Sequence, residues 1–431
     1  MMNRLRLFPT TAKIENNILT INGHSLQDLA AQYGTPLYLY DRTTMDASTA
    51  EYKAALASHY PGPASVTYAG KAYLGKAIAS WTQSHQLLVD CTGEGEIAIA
   101  KAGGVPRDHI LVHGVNKSGA DLLSAIQNAG TIVVDNLTEL YHIRDLFSKE
   151  HTLFPNLWLR LLPGVAVDTH HAHTQTGQHD SKFGMTREEL MEAAVFCKNN
   201  HLPLVGIHFH QGSNFRDAGP LHAAIDIGLD LAKEIGFSDE WHFCPGGGWG
   251  VAYHEDELPQ PDSNDYVRVV AEHVIAGCNM RGLPHPHLHL EPGRSLVARA
   301  GVAVYRVGTI KKRSGKTWIL TDGGMTDNPR YAMYGARYSC LPVSGPGAER
   351  SESVSIAGPY CESGDILIED LPMPQLEAGD LIAIPAAGAY HLSMSSNYNG
   401  SRRPAVLMLE DKKAILIQRR ETISDLLIRD I

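Results

Sequence analysis

Trp241-His242-Phe243-Cys244-Pro245-Gly246-Gly247-Gly248-Trp249-Gly250 separates a closed barrel from a Rossmann sheet. A short apolar run stops at a glycine cluster that lacks the G-x-G-x-x-G spacing of a dinucleotide-binding turn. It also lies late in the chain, whereas such a turn follows the first strand of a Rossmann sheet. Outward from it the same unit recurs: a short apolar run, a polar or glycine residue at its end, then a helical stretch. The runs fall at 65–69, 86–89, 110–112, 131–134, 157–162, 204–209, 241–244 and 286–290, and their length and β-branched content favour strands. Between them, 72–83, 120–128, 139–147, 185–199, 223–235 and 266–280 place apolar residues three and four apart, the helical spacing. Eight strands alternating with helices predict an α/β fold, a (β/α)8 barrel of the TIM type. Lys71, Asp90, His113, Asp135, His208, His210, Glu291 and Arg294 end or follow these runs, at the barrel end where chemistry is done.

After Arg294 the texture changes. Runs at 302–309, 316–320, 353–357, 365–368, 380–384 and 405–418 are β-rich and separated by Gly, Pro and Asp turns, which predicts a C-terminal all-β domain. A hairpin turn at Asn22-Gly23 and a strand at 37–40 suggest that the N-terminal strands join it. The expected division is residues 1–40 with the β domain, 41–295 as the barrel and 296–431 as the β domain proper.

The 431 residues are 43% hydrophobic and 19% charged, an ordinary globular composition that excludes a disordered chain. With a net charge of −10, no global basic field invites nucleic acid or an anionic membrane surface. No apolar run is long enough to span a bilayer, and the N-terminus carries no apolar stretch behind its basic residues. Six scattered cysteines without a C-x-x-C pair suit a reducing cytoplasm.

Several segments carry chemistry. In Tyr68-Ala69-Gly70-Lys71-Ala72 a lysine stands just past the first barrel strand, where low dielectric favours the neutral amine that forms a Schiff base; otherwise it is a solvated lysine opening a helix. In Gly206-Ile207-His208-Phe209-His210-Gln211-Gly212-Ser213 the two histidines point the same way. They bind a metal, stack on a flat cofactor or fill the core, and no third ligand pattern accompanies them. Gly246-Gly247-Gly248 offers bare backbone amides for a phosphate, or only a tight turn. Glu291-Pro292-Gly293-Arg294 gives either a structural ion pair or a division of labour: a carboxylate holding a proton on a heteroaromatic nitrogen, and a guanidinium for a phosphate or carboxylate. Gly358-Pro359-Tyr360-Cys361-Glu362-Ser363-Gly364-Asp365 groups a thiol with carboxylates in a turn. The four histidines within 168–180 read as a solvated loop.

Taken in order, Tyr68-Ala69-Gly70-Lys71, Asp180-Ser181-Lys182-Phe183-Gly184-Met185, His208-x-His210-x-Gly212-Ser213, Gly246-Gly247-Gly248, Glu291-Pro292-Gly293-Arg294, Cys361-Glu362-Ser363-Gly364-Asp365 and Gly388-Ala389-Tyr390 resemble the fold-type III pyridoxal-phosphate decarboxylases, most closely those acting on diaminopimelate. The resemblance covers about residues 34–422. It implies that Lys71 carries pyridoxal 5'-phosphate as a Schiff base, that His210 stacks on the pyridine ring and that Glu291 keeps its nitrogen protonated. Asp90, Ser213, Gly246, Gly247, Gly248, Arg294 and Tyr390 would complete the cofactor site, and Arg294, Arg330, Tyr334, Glu362 and Tyr390 would reach substrate. Cys361, supplied by the other subunit of a homodimer with shared active sites, would return a proton to Cα. The implied reaction converts meso-2,6-diaminopimelate to L-lysine and CO2, with an ornithine- or arginine-type decarboxylase as the alternative. No metal, nucleic acid or membrane partner is implied. The chain departs from the family pattern at Gln211, Asn214 and Tyr331.

Overall fold

The computed structural model describes residues 2–147, 153–165, 177, 180–238 and 240–431. The chain opens with β1 (Lys13–Glu15), β2 (Ile18–Ile21) and β3 (His24–Ser25), an antiparallel meander. Its second turn is the Asn22-Gly23 hairpin read from the sequence, with φ of 52° and 76°. The first turn, Asn16-Asn17, has φ of 49° and 62°; two positive values in succession are what a two-residue hairpin loop demands. β4 (Leu37–Asp41) then divides its side chains by alternation. Leu37 and Leu39 enter one apolar core, while Tyr38 and Tyr40 turn their hydroxyls to Asp327 and to the Gly388 carbonyl.

The eight expected parallel strands follow: β5 (Ala64–Ala69), β6 (Leu88–Cys91), β7 (Ile110–Val112), β8 (Thr131–Val134), β9 (Asn156–Arg160), β10 (Leu204–His208), β11 (His242–Cys244) and β12 (His287–Leu290). Each pairs with the next and β12 returns to β5, so the sheet closes. Leu111, Val133, Trp158 and Cys244 pack together as part of its core. Helix Glu94–Ala102 was not expected, because Ile97 and Ile99 alternate with alanines instead of keeping helical spacing. The helix that follows β5 begins at Lys76, later than the expected 72, because Gly70–Ala72 forms a 3₁₀ turn that brings Lys71 off the end of β5.

Beyond the barrel come β13 (Gly301–Arg313), β14 (Lys316–Thr321), β15 (Leu341–Pro342), β16 (Glu352–Ala357), β17 (Ile366–Met373), β18 (Leu381–Ile384), β19 (Ala405–Glu410) and β20 (Lys413–Gln418). Their sheet runs β17-β16-β14-β13-β4-β19-β20, with β18 bridging β13 and β15, so an N-terminal strand does join the C-terminal sheet. The run at 405–418 is two strands turned at Asp411-Lys412, both at positive φ. Leu37 and Leu39 pack here with Val302, Val304, Leu407 and Leu409.

By contacts the chain forms two compact units. One comprises Thr49–Gly250 and Asp262–Gly293, the barrel; the other comprises Met1–Ser48, Val251–Pro261 and Arg294–Ile431. Among the described residues, no helix is long and apolar enough to cross a membrane.

Candidate active site

Backbone hydrogen bonds continue the ladder past the strand ends and fix the side chains there. His113 N donates to Cys91 O at 2.8 Å, Glu291 N to Gly246 O at 2.9 Å, and Ala69 N to Pro292 O at 3.2 Å. Glu291, only 7% exposed, therefore stands between two imidazoles. His208 Nε2 is 3.0 Å from Oε2 and His113 Nε2 is 3.1 Å from Oε1, while His113 is also 3.7 Å from Asp90. The third group that His208 lacks in the sequence is thus supplied in space by His113 and Glu291.

Burial pulls the His208 imidazole down to about 4, so it is neutral and donates Nε2–H to Glu291. Burial opposes the Glu291 charge, but the flanking imidazoles outweigh it and hold the carboxyl well below the usual range. Burial has the opposite net effect on Asp90, whose carboxyl is pushed up. Two nearby acids are driven apart, and Glu291 is the one held as an anion.

A pH effect follows from His208. The unfolded chain takes up this proton near 6.5, whereas the folded chain does so only near 4. Between those values the unfolded state binds more protons, so stability falls as pH is lowered, by a term on the order of 3 kcal/mol. Urea midpoints measured from pH 7 to pH 4 should show this loss, with a shallower slope in His208→Gln. An identical slope in the variant would remove His208 from the account.

His210, just beyond β10, is half-buried, and Gly247 N donates to its Nδ1 at 3.3 Å, which leaves its proton on Nε2. Burial first, then the Lys71 charge, keeps this imidazole well below its ordinary value. Gly246 and Gly248 have φ of +80° and +102°, and a Cβ on Gly247 would come 1.9 Å from the Glu291 carbonyl oxygen. Only glycine fits this turn, which links the His210 and Glu291 loops. Asn214, one of the departures, takes a φ of 66°, a region that asparagine tolerates. Lys71 is exposed beyond β5, and Tyr68 Oη donates to Tyr73 O at 2.6 Å across the turn that carries it.

The Asp180–Met185 motif serves the neighbouring strand end, a role the sequence reading did not assign. Phe183 lies 4.6 Å from the Arg160 guanidinium, and Gly184 N donates to Asp135 at 3.1 Å. Arg160, buried at the end of β9 and 3.6 Å from Asp135, is a mouth residue that sequence reasoning missed. A charged residue closing the apolar run Leu157-Trp158-Leu159 was the available signal. The four histidines at 170, 171, 173 and 179 lie outside the described residues.

The other unit carries its own cationic cluster. Arg294, at the start of a short helix, bonds the Tyr253 hydroxyl and lies 4.7 Å from the Tyr390 ring centre. Tyr390 is held at a φ of 62°, a strained value for a bulky residue. Arg330 packs 4.4 Å over Tyr253 and bonds the Tyr338 hydroxyl, which reaches His391 Nε2 at 2.8 Å. Tyr253, Tyr338 and His391 were not anticipated; aromatic residues with no motif around them gave no signal. Among the described residues no carboxylate pairs with Arg330, which is 6% exposed. Tyr334 is half-buried at the end of the helix that Arg330 begins, and Tyr331, the third departure, bonds Glu369.

Cys361 and Glu362 are exposed on a turn anchored by buried Asp365, which accepts from Met325 N at 2.7 Å and Tyr360 N at 2.8 Å. The other five cysteines are buried.

Pyridoxal phosphate brings an aldehyde, a phosphate and a basic ring nitrogen, and the barrel mouth fits it. Glu291 Oε1, buried beside His113 Nε2, is an anionic oxygen that can also accept from a protonated ring nitrogen. Lys71 presents an amine, and the glycine turn presents backbone amides without side-chain obstruction.

Comparison with known proteins agrees. Residues 45–298 match the family model of the pyridoxal-dependent decarboxylase, pyridoxal binding domain. A diaminopimelate decarboxylase of Bacillus subtilis is 37% identical across 99% of this chain and 98% of its own length. One from Actinosynnema pretiosum is 36% identical across 99% and 95%. The crystal structure of the M. jannaschii diaminopimelate decarboxylase with L-lysine superposes with a TM-score of 0.90 at 31% identity, covering 98% of both chains. A family match across more than half of the sequence, joined by relatives similar along its full length, makes this chain a member of the pyridoxal-dependent decarboxylases.

Proposed function

We propose that the protein decarboxylates meso-2,6-diaminopimelate at its D-centre, giving L-lysine and CO2. The observation that carries the choice of substrate is Arg330, a buried guanidinium surrounded by tyrosines with no carboxylate partner among the described residues. A buried cation of this kind calls for an anionic ligand group. Diaminopimelate keeps a second carboxylate after the first is lost, whereas ornithine has none to offer. The names of the full-length relatives support the same substrate.

Bound pyridoxal phosphate supplies the electron sink for the pair left behind when the carboxylate departs. The chain's own residues do the rest. Lys71 holds the cofactor, Glu291 keeps a proton on the pyridine nitrogen, and His210, oriented by the Gly247 amide, covers the ring. Asp90 supports this end of the cofactor through His113. Ser213, the three consecutive glycines, Arg294 and Tyr390 serve the phosphate; Arg330, Tyr334 and Glu362, with Arg294 and Tyr390, serve the substrate. Cys361 returns a proton to Cα. Its exposure on a braced turn suits delivery into the site of a second copy, and we assign the working form as a homodimer with shared sites. Five buried cysteines and one exposed thiol fit a reducing cytoplasm.

The test is a product assay on purified protein with added pyridoxal phosphate, comparing meso-diaminopimelate, L-ornithine and L-arginine. Lysine and CO2 should form from the first at least about 100-fold faster than product forms from the others. Comparable turnover of ornithine would overturn the assignment. In Cys361→Ala, kcat should fall by about 10²–10⁴-fold with the cofactor absorbance retained, the scale of a lost general acid. Unchanged kcat would show that another group delivers the proton.

A further inference from the structure

A second histidine cluster lies at the opposite end of the barrel strands. His242 and His287 are the first residues of β11 and β12, paired in register, and His289 follows on the same side of β12. The His287 and His289 rings stack at 4.3 Å, and His242 and His287 at 5.2 Å. His242 Nδ1 faces His289 Nε2 at 2.9 Å, and one nitrogen from each of the three lies within 4.8 Å of the others.

Their surroundings are those of ligands more than of barrel filling, for which branched aliphatic residues are the norm. His289 is 3% exposed and its Nδ1 has no hydrogen-bond partner among the described residues. Ser65 Oγ on β5 contacts His287 Nε2 at 2.7 Å and orients that ring, as partners of metal-bound histidines do. Trp158 stacks on His242 and packs against His289, closing one side with an apolar wall. His242 and His287 are half-buried, so the cluster remains open to solution on the other side.

We propose that His242, His287 and His289 form a binding site for a divalent transition-metal ion of the zinc class, distinct from the decarboxylase mouth. Imidazole suits Zn²⁺, Ni²⁺ and Cu²⁺, and three protein ligands leave a further position for water. At metal–nitrogen distances of about 2.1 Å, two ligands of a tetrahedral ion stand about 3.4 Å apart. The facing His242–His289 pair therefore has to open by about half an ångström and turn so that both lone pairs meet the ion, the hydrogen between them moving to the other ring nitrogen of the imidazole that carries it. Such an ion would brace β11 against β12.

The test is calorimetric titration of metal-stripped holoenzyme with Zn²⁺ alone, alongside His287→Ala, His289→Ala and His113→Ala, with circular dichroism to verify folding. One equivalent should bind per chain in the wild type. Affinity should drop more than about tenfold in His287→Ala and His289→Ala and hold in His113→Ala. Zn²⁺ should raise the wild-type Tm but not that of His287→Ala. His287→Ala lies at the rim, away from the mouth, and should decarboxylate at the wild-type rate. No zinc binding to the wild type, binding that survives both cluster variants, or binding lost only in His113→Ala would overturn the proposal.

Discussion

Lys71→Ala should decarboxylate meso-diaminopimelate at least about 10³-fold more slowly than the wild type, because removing a covalent anchor eliminates a step that no positioning can replace. Its place in the barrel explains why no neighbour substitutes. β5 pairs with β6 through Ala69 and Asp90, and the Gly70–Ala72 turn delivers the next side chain off that edge. Among the strand-end groups of the barrel mouth, Arg160 carries a guanidinium and His208 and His210 are held neutral by burial. None of these is an amine that can form an imine with an aldehyde, and the Lys117 amine, in the loop after β7, is tied to Glu139 at 2.7 Å. Arginine at position 71 should not restore activity, since its guanidinium stays protonated. Steady-state CO2 release, with cofactor absorbance followed in parallel, measures both variants. Turnover within tenfold of the wild type in either would remove Lys71 from its assigned role.

Glu291→Gln is the second large effect. We expect kcat to fall by about 10²–10³-fold while KM changes little and the cofactor stays bound. The substitution keeps the shape and leaves an oxygen for the His208 Nε2–H, so packing and the 3.0 Å contact should survive. What disappears is the buried negative charge that makes protonation of the ring nitrogen favourable. Burial would ordinarily raise such a carboxyl, and its flanking imidazoles reverse that, so the anion persists throughout the neutral range. The loss of rate should therefore be the same at pH 6 and pH 8. A variant that turns over at the wild-type rate, or loses rate only at one end of that range, would contradict the assignment.

The barrel was legible because each of its strands is a short apolar run ending in a residue of different character. His113, His208 and Glu291 are all visible as such endings. Their pairing was not: residues 113, 208 and 291 meet only because β12 closes against β5, and closure is a property of the whole sheet. Arg160 was hidden inside a run read as extending to residue 162, two positions beyond the observed end of β9. Tyr253 was out of reach for another reason. It lies on Val251–Pro261, a segment between two barrel elements that packs with the β-rich unit, and no local pattern announces such an excursion. In that unit, β-rich runs between Gly, Pro and Asp turns predicted the strands of the main sheet, while the Arg330–Tyr338–His391 contacts join residues from separate segments that share no periodicity. Local chemistry was readable, and the contacts made by chain closure were not.

The most direct measurement is borohydride reduction of the protein saturated with pyridoxal phosphate, followed by peptide mapping. The account predicts one pyridoxyl group per chain, on the peptide containing Lys71, and its disappearance when meso-diaminopimelate is added before reduction. A label on a different lysine, or a map without any label, would contradict it.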